Sequence, residues 1–252
     1  MSKPRRVEPL RDFMRAVHHF GGGRHHAWRV FSDFCELAAI TLSQVVLKDP
    51  VREARYLEIL KAYEREDATT FSHMLGMVIA GLEAEPCDFL GDAFQQLELA
   101  NHWHGQFFTP RELARLMAEM TVDETLFEGR EFITVNDPAC GAGVALLATA
   151  QVLLAKGINP QRRLYVYAQD VDPTAARMAF IQLSLSGLPA TVTIGNTLTM
   201  EVREELHTVQ HHLGFWSLKL QREAREPVEV KAPAPVANKR GQYALPLGEQ
   251  AA

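Results

Sequence analysis

The stretch Asn136-Asp137-Pro138-Ala139-Cys140-Gly141-Ala142-Gly143 decides how this chain folds. It follows the β-branched run Phe132-Ile133-Thr134-Val135 and precedes a helical stretch from Ala145 to Leu154, so it is a tight turn from a strand into a helix. Glycine at positions 141 and 143 permits positive φ and leaves bare backbone beside which a ligand can lie. Asp137, at the strand's end, offers a carboxylate to a cationic group. A Gly-x-Gly pair alone marks any turn; the Asp-Pro-Ala context before it is far more specific.

Working outward, Leu164-Tyr165-Val166-Tyr167-Ala168 is a second strand, Thr174 to Ser186 a second helix, and Ala190 to Ile194 a third strand. This β-α-β-α-β alternation predicts half of a doubly wound parallel sheet, an α/β Rossmann-like architecture. Beyond Thr199 the texture reads as helical, Val202 to Leu213 and then Phe215 to Ala224. Upstream, from Pro9 to Ala100, apolar residues such as Trp28, Phe31, Phe34, Leu37 and Ala38 recur at three and four, the period of helices. Gly21-Gly22-Gly23, Lys48-Asp49-Pro50 and Glu85-Pro86-Cys87-Asp88 punctuate that region, and Asp67 to Thr70 reads as a cap for a helix from Phe71 to Leu82. The expected organisation is a helical domain over residues 1–100, an α/β domain over 101–225, and a Pro/Ala-rich flexible tail over 226–252.

Composition narrows the class. Hydrophobic residues make up 47% of 252, enough for a substantial core. There is no run of about 18 apolar residues and no apolar stretch after Met1-Ser2-Lys3-Pro4-Arg5-Arg6, so neither a membrane span nor a secretion signal is expected and the default location is the cytoplasm. Three widely spaced cysteines, Cys35, Cys87 and Cys140, suit neither a disulfide framework nor a cysteine-rich metal site. A net charge of −5 gives no global attraction for a polyanion. Any DNA contact would fall to a local surface, for which the candidate is the N-terminal segment with Lys3, Arg5, Arg6, Arg11, Arg15, Arg24 and Arg29 against Glu8 and Asp12. A solvated helix face is the competing reading of that segment.

The octapeptide resembles motif I of the amino-methyltransferases, in particular the modification subunits of type I restriction systems and related N6-adenine DNA methylases. Three more segments agree in order: Gly105-Gln106-Phe107-Phe108-Thr109-Pro110 resembles the family's motif X, Gln169-Asp170-Val171-Asp172-Pro173 its motif II, and Gly195-Asn196-Thr197-Leu198 the end of its third strand. The resemblance implies a Rossmann-like methyltransferase sheet and S-adenosylmethionine as cofactor. It implies that Phe108, Thr109 and Pro110 hold the methionine end and that Asp137, Ala139, Gly141 and Gly143 form the turn around it. Asp170 would take the ribose hydroxyls, Val171 and Leu198 the adenine ring, and Asn196 the adenine amino group.

One expected element is missing. The family presents its target amino group with Asn/Asp-Pro-Pro-Phe/Tyr after strand four, and this sequence has no Pro-Pro pair. The catalytic residues are therefore unknown, and the sheet is expected to be truncated, with the edge of strand one needing cover from the C-terminal helices around Phe215-Trp216, a tail strand, or a partner subunit. Two readings follow. In the first the chain binds the cofactor, as an accessory or antirestriction factor of a mobile element, without methylating DNA alone. In the alternative it is an active adenine methylase, alone or with a partner subunit supplying the missing motif; a homo-oligomer is the other association the truncated edge admits. Methylation of some other acceptor is a third, weaker reading. The spacings of His102 with His104, and of His207, His211 and His212, could suit a metal, but without a cysteine or carboxylate pattern beside them surface or interface histidines are expected, with His207 and His211 sharing one helical face.

Overall fold

A computed structural model describes residues 8–84, 87–101 and 109–225, with residues 98–101 described by backbone alone. Phe108, His102, His104, Lys3, Arg5, Arg6 and the tail over 226–252 lie outside the described residues. In chain order the elements are α1 (Pro9–His18), α2 (Ala27–Ser43), α3 (Pro50–Leu60), α4 (Arg65–Ala84), α5 (Phe89–Asn101), α6 (Arg111–Thr121), β1 (Ile133–Asp137), α7 (Val144–Ala155), α8 (Pro160–Arg163), β2 (Leu164–Asp170), α9 (Pro173–Leu185), β3 (Ala190–Asn196), β4 (Glu201–His207), α10 (Val209–Leu213) and α11 (Trp216–Glu223). Residues to Ser217 make one compact unit; the remainder of α11 belongs to a second.

The sheet runs β1-β2-β3-β4, with β1, β2 and β3 parallel as the alternation demands and β4 antiparallel to β3. The strand β4 corrects the helical expectation for Val202 to Leu213, of which only Val209–Leu213 is helix. The four-residue spacing of Val202 and Leu206 looks helical, but Leu206 is buried beside Val192 while Val202 is exposed. Pairing with β3 outweighs local propensity there. The helix α4 starts earlier than expected, at Arg65, so Asp67 lies in its first turn, where it is buried and reaches back to accept from the Glu64 amide at 3.1 Å.

Register sorts the sheet into two unlike faces. Ile133, Val135, Leu164, Val166, Ala168, Ala190, Val192, Ile194 and Leu206 share one apolar face, over which α7 packs on β1 and α9 on β2 and β3. The other face carries Thr134, Asn136, Tyr165, Tyr167, Thr191, Thr193, Glu205 and His207. Helix α7 is apolar all round, as suits a helix between the sheet and its neighbour α6.

The N-terminal helices do not form a core of their own. Helix α2 packs along α9, and one continuous set of buried side chains runs from Phe13 through Phe34, Phe94 and Phe180 to Val192. Ion pairs stitch the same seam: Arg177 on α9 meets Glu36 on α2 at 3.3 Å and Glu204 on β4 at 3.7 Å, while Arg55 on α3 pairs with Glu36 at 2.7 Å.

On the polar face, Trp216 is fully buried, its ring 4.8 Å from Phe132 and 5.2 Å from Tyr165. The cover expected for the edge of strand one from around Phe215-Trp216 thus lies on the face of the sheet, and among the described residues β1 pairs with β2 alone. Removing that indole leaves a large void. Trp216→Ala is expected to destabilise the protein by about 3–5 kcal/mol, read as a lowered midpoint in denaturant unfolding.

Candidate cofactor site

The glycine turn is latched to the end of the neighbouring strand. The Cys140 amide donates to the Gln169 carbonyl at 2.9 Å, and the Gly141 amide donates to Asp170 Oδ2 at 2.8 Å. Gly141 and Gly143 hold φ of 54° and 94°, the left-handed conformations that glycine adopts without strain. A Cβ at Gly143 would also meet Ala179 at 3.4 Å, so this glycine additionally lets α7 start close against α9. Asp170 Oδ1 accepts from the Asp172 amide at 2.9 Å, and Asp172 in turn caps α9 through the Thr174 amide at 2.7 Å. Each Asp170 oxygen keeps a lone pair for a further donor.

Asp137 stands at the end of β1, half-buried, accepting from the Ala139 amide at 3.1 Å. Burial pushes its carboxyl above the usual carboxylate range; the Ala139 hydrogen bond opposes that shift and the negative charge of Asp170 adds to it. No Lys, Arg or His among the described residues lies within ion-pair distance of Asp137 or Asp170. Two adjacent strand ends therefore carry carboxylates with no partner cation among the described residues.

The structure brings Asp137, Ala139, Gly141, Gly143 and Asp170 together at this turn. The β3–β4 connection joins them, because Thr197 Oγ1 donates to the Pro138 carbonyl at 2.7 Å. Asn196 differs from its expected use: its side-chain oxygen already accepts from the amides of Leu198 at 2.9 Å and Thr199 at 3.3 Å, shaping the turn, so its amide nitrogen is what it has to offer. Val171 and Leu198 are 57% and 95% exposed, apolar side chains standing open beside the site. Arg203 on β4 donates to the Val171 carbonyl and steadies that segment. Thr109 and Pro110 are exposed at the start of α6, whose first residue, Arg111, pairs with Asp92 on α5.

Sequence reasoning missed one positioning group. Gln182 on α9 is fully buried, donates to the Ala142 carbonyl at 2.9 Å and to Asp88 Oδ1 at 2.8 Å, and accepts from the Leu90 amide at 3.0 Å. It clamps the glycine turn to the start of α5. The signal was present as a lone amide in the apolar run Ala179-Phe180-Ile181-Gln182-Leu183. Asp88 is buried with it, its carboxyl held above the usual range by that burial and only partly relieved by Gln182.

Other candidates separate from the site. The rings of His207 and His211 stack 4.3 Å apart, yet His207 ends β4 and His211 lies in α10, so a strand-to-helix turn and no shared helix brings them together. Among the described residues no group of three or more His, Cys, Asp or Glu is placed to hold a metal. The described arginines of the basic N-terminal segment all have acidic partners: Arg11 with Glu8, Arg15 with Asp12, Arg24 with Glu64 and Arg29 with Asp33. Those pairs reduce the positive surface on offer to DNA.

With this geometry in place, comparison with known proteins is direct. The model of the family described as N-6 DNA Methylase matches residues 87–215, half of the chain. This chain belongs to that family. Over 93 residues it is 32% identical to the type I restriction enzyme MjaIX methylase subunit of Methanocaldococcus jannaschii, a stretch that is 37% of this chain and 15% of the relative's length. Among solved structures, a putative class I S-adenosylmethionine-dependent methyltransferase from Listeria monocytogenes is similar over 83% of this chain and 68% of its own, at 14% identity and a TM-score of 0.39. The methyltransferase subunit of a type I restriction-modification system from Streptococcus thermophilus is similar over 71% of this chain and 41% of its own, at 20% identity and a TM-score of 0.35.

The family's cofactor is S-adenosylmethionine, and the residues present suit its chemistry. It bears an ammonium and a sulfonium cation, which the uncompensated carboxylates favour, and two vicinal hydroxyls, which a carboxylate with lone pairs to spare accepts. The clamp gives a test of how the turn is held. Gln182→Leu strands the Ala142 carbonyl, the Leu90 amide and Asp88 without their partner, and is expected to cost on the order of 2–4 kcal/mol in equilibrium unfolding.

Proposed function

We propose that this chain binds S-adenosylmethionine at the glycine turn and that, by itself, it does not methylate DNA. The observation that carries the reading is the pair of carboxylates, Asp137 and Asp170, at the ends of neighbouring parallel strands around Gly141, with no cation among the described residues paired to them. Asp170 accepts the ribose hydroxyls while keeping its bond to the Gly141 amide. Asp137 faces the cationic methionine end, with the Thr109-Pro110 turn and, outside the described residues, Phe108 on the other side. Val171 and Leu198 lose exposed apolar surface against the adenine, a gain of about 1–2 kcal/mol at ordinary burial energies. Asn196 donates its amide toward a ring nitrogen of the adenine, since its oxygen is engaged.

When bound, the cofactor supplies an electrophilic methyl group. The residues that would draw an adenine amino group toward it, a side-chain acceptor and a stacking aromatic, have no counterpart identified in this chain. The alternative is methylation of adenine with a partner subunit that brings them. The relative's name favours a role beside restriction-modification machinery, and this chain spans 15% of that relative's length. No helix among the described residues is long and apolar enough to cross a membrane, and the reading places the protein with DNA in the cytoplasm.

Two measurements decide the proposal. Calorimetric titration with S-adenosylhomocysteine should give saturable binding that Asp170→Asn weakens by about 10–100-fold, the loss of one or two charge-assisted hydrogen bonds. Absence of binding to the wild-type chain would sink it. Transfer of labelled methyl groups from S-adenosylmethionine to adenine in DNA should stay at background for the purified chain; transfer would establish the alternative.

The pH dependence follows from Asp137. Its carboxyl titrates above the usual range, so on acidification a proton competes with the ligand's cation for the same oxygens. Affinity should fall as pH drops from neutrality through that raised pKa, and Asp137→Asn should flatten this fall while weakening binding at neutral pH.

A further inference from the structure

A line of hydrogen bonds crosses the polar face of the sheet. Ser217 Oγ lies 2.8 Å from His211 Nε2, and His211 Nδ1 lies 2.6 Å from the Tyr165 hydroxyl. That hydroxyl is 2.7 Å from Thr191 Oγ1, which is 3.1 Å from His207 Nδ1, and His207 Nε2 is 3.2 Å from Glu205 Oε1. His211, Tyr165 and Thr191 are buried, while Ser217 and Glu205 at the two ends are exposed.

The carboxylate end sets the direction of the whole line. Glu205 can only accept, so His207 Nε2 carries a proton and the neutral ring accepts at Nδ1. Thr191 has one proton and gives it to His207, so its oxygen accepts from Tyr165. Burial pushes the Tyr165 hydroxyl above its usual range, so it keeps its proton near neutral pH. With that proton on the Thr191 side, the Tyr165 oxygen accepts from His211 Nδ1–H. His211 Nε2 is left bare, facing the Ser217 hydroxyl. A hydroxyl within hydrogen-bond reach of a base that a third group orients is the arrangement of an activated nucleophile.

The turn that brings Ser217 there is strained. Phe215 holds a φ of 53°, a left-handed conformation that bulky residues rarely adopt. Gly214 before it has no room for a Cβ, which would lie 2.6 Å from the Trp216 ring. Leu213 and Phe215 are exposed, so apolar surface lies within four residues of an accessible hydroxyl. Five residues of β2, about 16 Å, separate Tyr165 from Asp170, which sets this cluster apart from the glycine turn.

We propose that Ser217 is a nucleophile with His211 as its general base, and that the pair cleaves carboxylic esters of acidic alcohols such as phenols and enols. Ser217 Oγ bonds to the carbonyl carbon as its proton passes to His211 Nε2; the bond to the leaving oxygen breaks, and that proton departs with the alcohol. Water repeats the exchange on the acyl-serine, releasing the acid and restoring the hydroxyl. Burial, with His207 and His212, pushes His211 down to about 4, which makes it a weak base. A weak base assists attack only on a carbonyl that its own leaving group makes electrophilic, which selects such esters over amides. The proposal stands independently of cofactor binding.

The test uses the full chain and a biotinylated alkyl fluorophosphonate, from which Ser217 displaces fluoride, with the adduct located by mass spectrometry. An adduct on Ser217 is expected, together with hydrolysis of p-nitrophenyl acetate, and both are lost in Ser217→Ala. Nitrogen-15 spectra at mildly alkaline pH should show His211 as the Nδ1–H tautomer. Thr191→Val keeps the side-chain shape but removes the acceptor of the Tyr165 proton. Tyr165 then donates to His211 Nδ1, the tautomer turns over to Nε2–H, and labelling should slow by about 100-fold. Thermal unfolding, measured alongside, separates these effects from loss of the fold. The proposal is overturned by no adduct, by an adduct only at other residues, by an Nε2–H tautomer of His211 in the wild-type chain, or by a folded Thr191→Val that labels at the wild-type rate.

Discussion

The bond from the Gly141 amide to Asp170 is the constraint on which the rest is arranged. It fixes the turn after β1 to the end of β2, and the neighbouring bond from Cys140 to Gln169 makes the attachment two-pointed. From there a closed circuit runs through the molecule. Asp170 holds the Asp172 amide, Asp172 starts α9, and α9 returns ten residues later with Gln182 to grip the Ala142 carbonyl. The turn is held from below by β2 and from behind by α9. A ligand at such a place meets backbone that is already organised, so little ordering entropy is spent on binding. An ionised Asp has four lone-pair directions and the fold uses two of those on Asp170, which leaves two for a further donor.

Much of this was legible from the sequence because the relevant signals are local. A β-branched run, a glycine turn and an apolar helix follow one another within 25 residues, and β1, α7, β2, α9 and β3 lie where that alternation predicts them. The site residues at strand ends come with the same pattern: Asp137 and Asp170 both close strands. The strand β4 was hidden, since Glu201 to His207 carries few β-favouring residues and its partner is found only in three dimensions. The clamp by Gln182 was hidden for a related reason. Its polar partners lie 40 and more residues away, at Ala142, Asp88 and Leu90, and spacing along one helix says nothing of them. Which end of the Asn196 amide is engaged is likewise a fact of turn geometry.

The N-terminal helices become intelligible as parts of the site's support. Sequence texture separates them from the α/β region, but packing joins them to α9, the helix that organises the turn. Phe180 and Met178 on α9 belong to the same buried set as Phe31 and Phe34 on α2, and Ser32 meets Thr174 at 3.2 Å beside the α9 cap. Arg177 lies between Glu36 and Glu204, so one guanidinium spans the helical layer and the outer strand. Burial of charge in such a network is offset by mutual pairing and does more for alignment than for net stability. The helices thus set the position of α9, and α9 sets the turn.

The two faces of the sheet differ in a way that bears on how the molecule is used. The apolar face is closed by α7 and α9. On the other face Tyr165 bonds to Thr191 at 2.7 Å and to His211 Nδ1 at 2.6 Å, His211 Nε2 meets Ser217 at 2.8 Å, and Thr191 meets His207 at 3.1 Å. Burial, with the neighbouring histidines, pushes His211 down to about 4, so near neutral pH its ring is uncharged and uses one nitrogen to donate and one to accept. That chain of bonds satisfies polar groups at the N-terminal half of β2 and β3, under Trp216. It stops short of Thr134 and Asn136, both exposed. Polar side chains let this face stand in water where an apolar one would not. The exposed part of this face follows β1 up to Asp137, so its polar side chains lead to the rim of the candidate cofactor site.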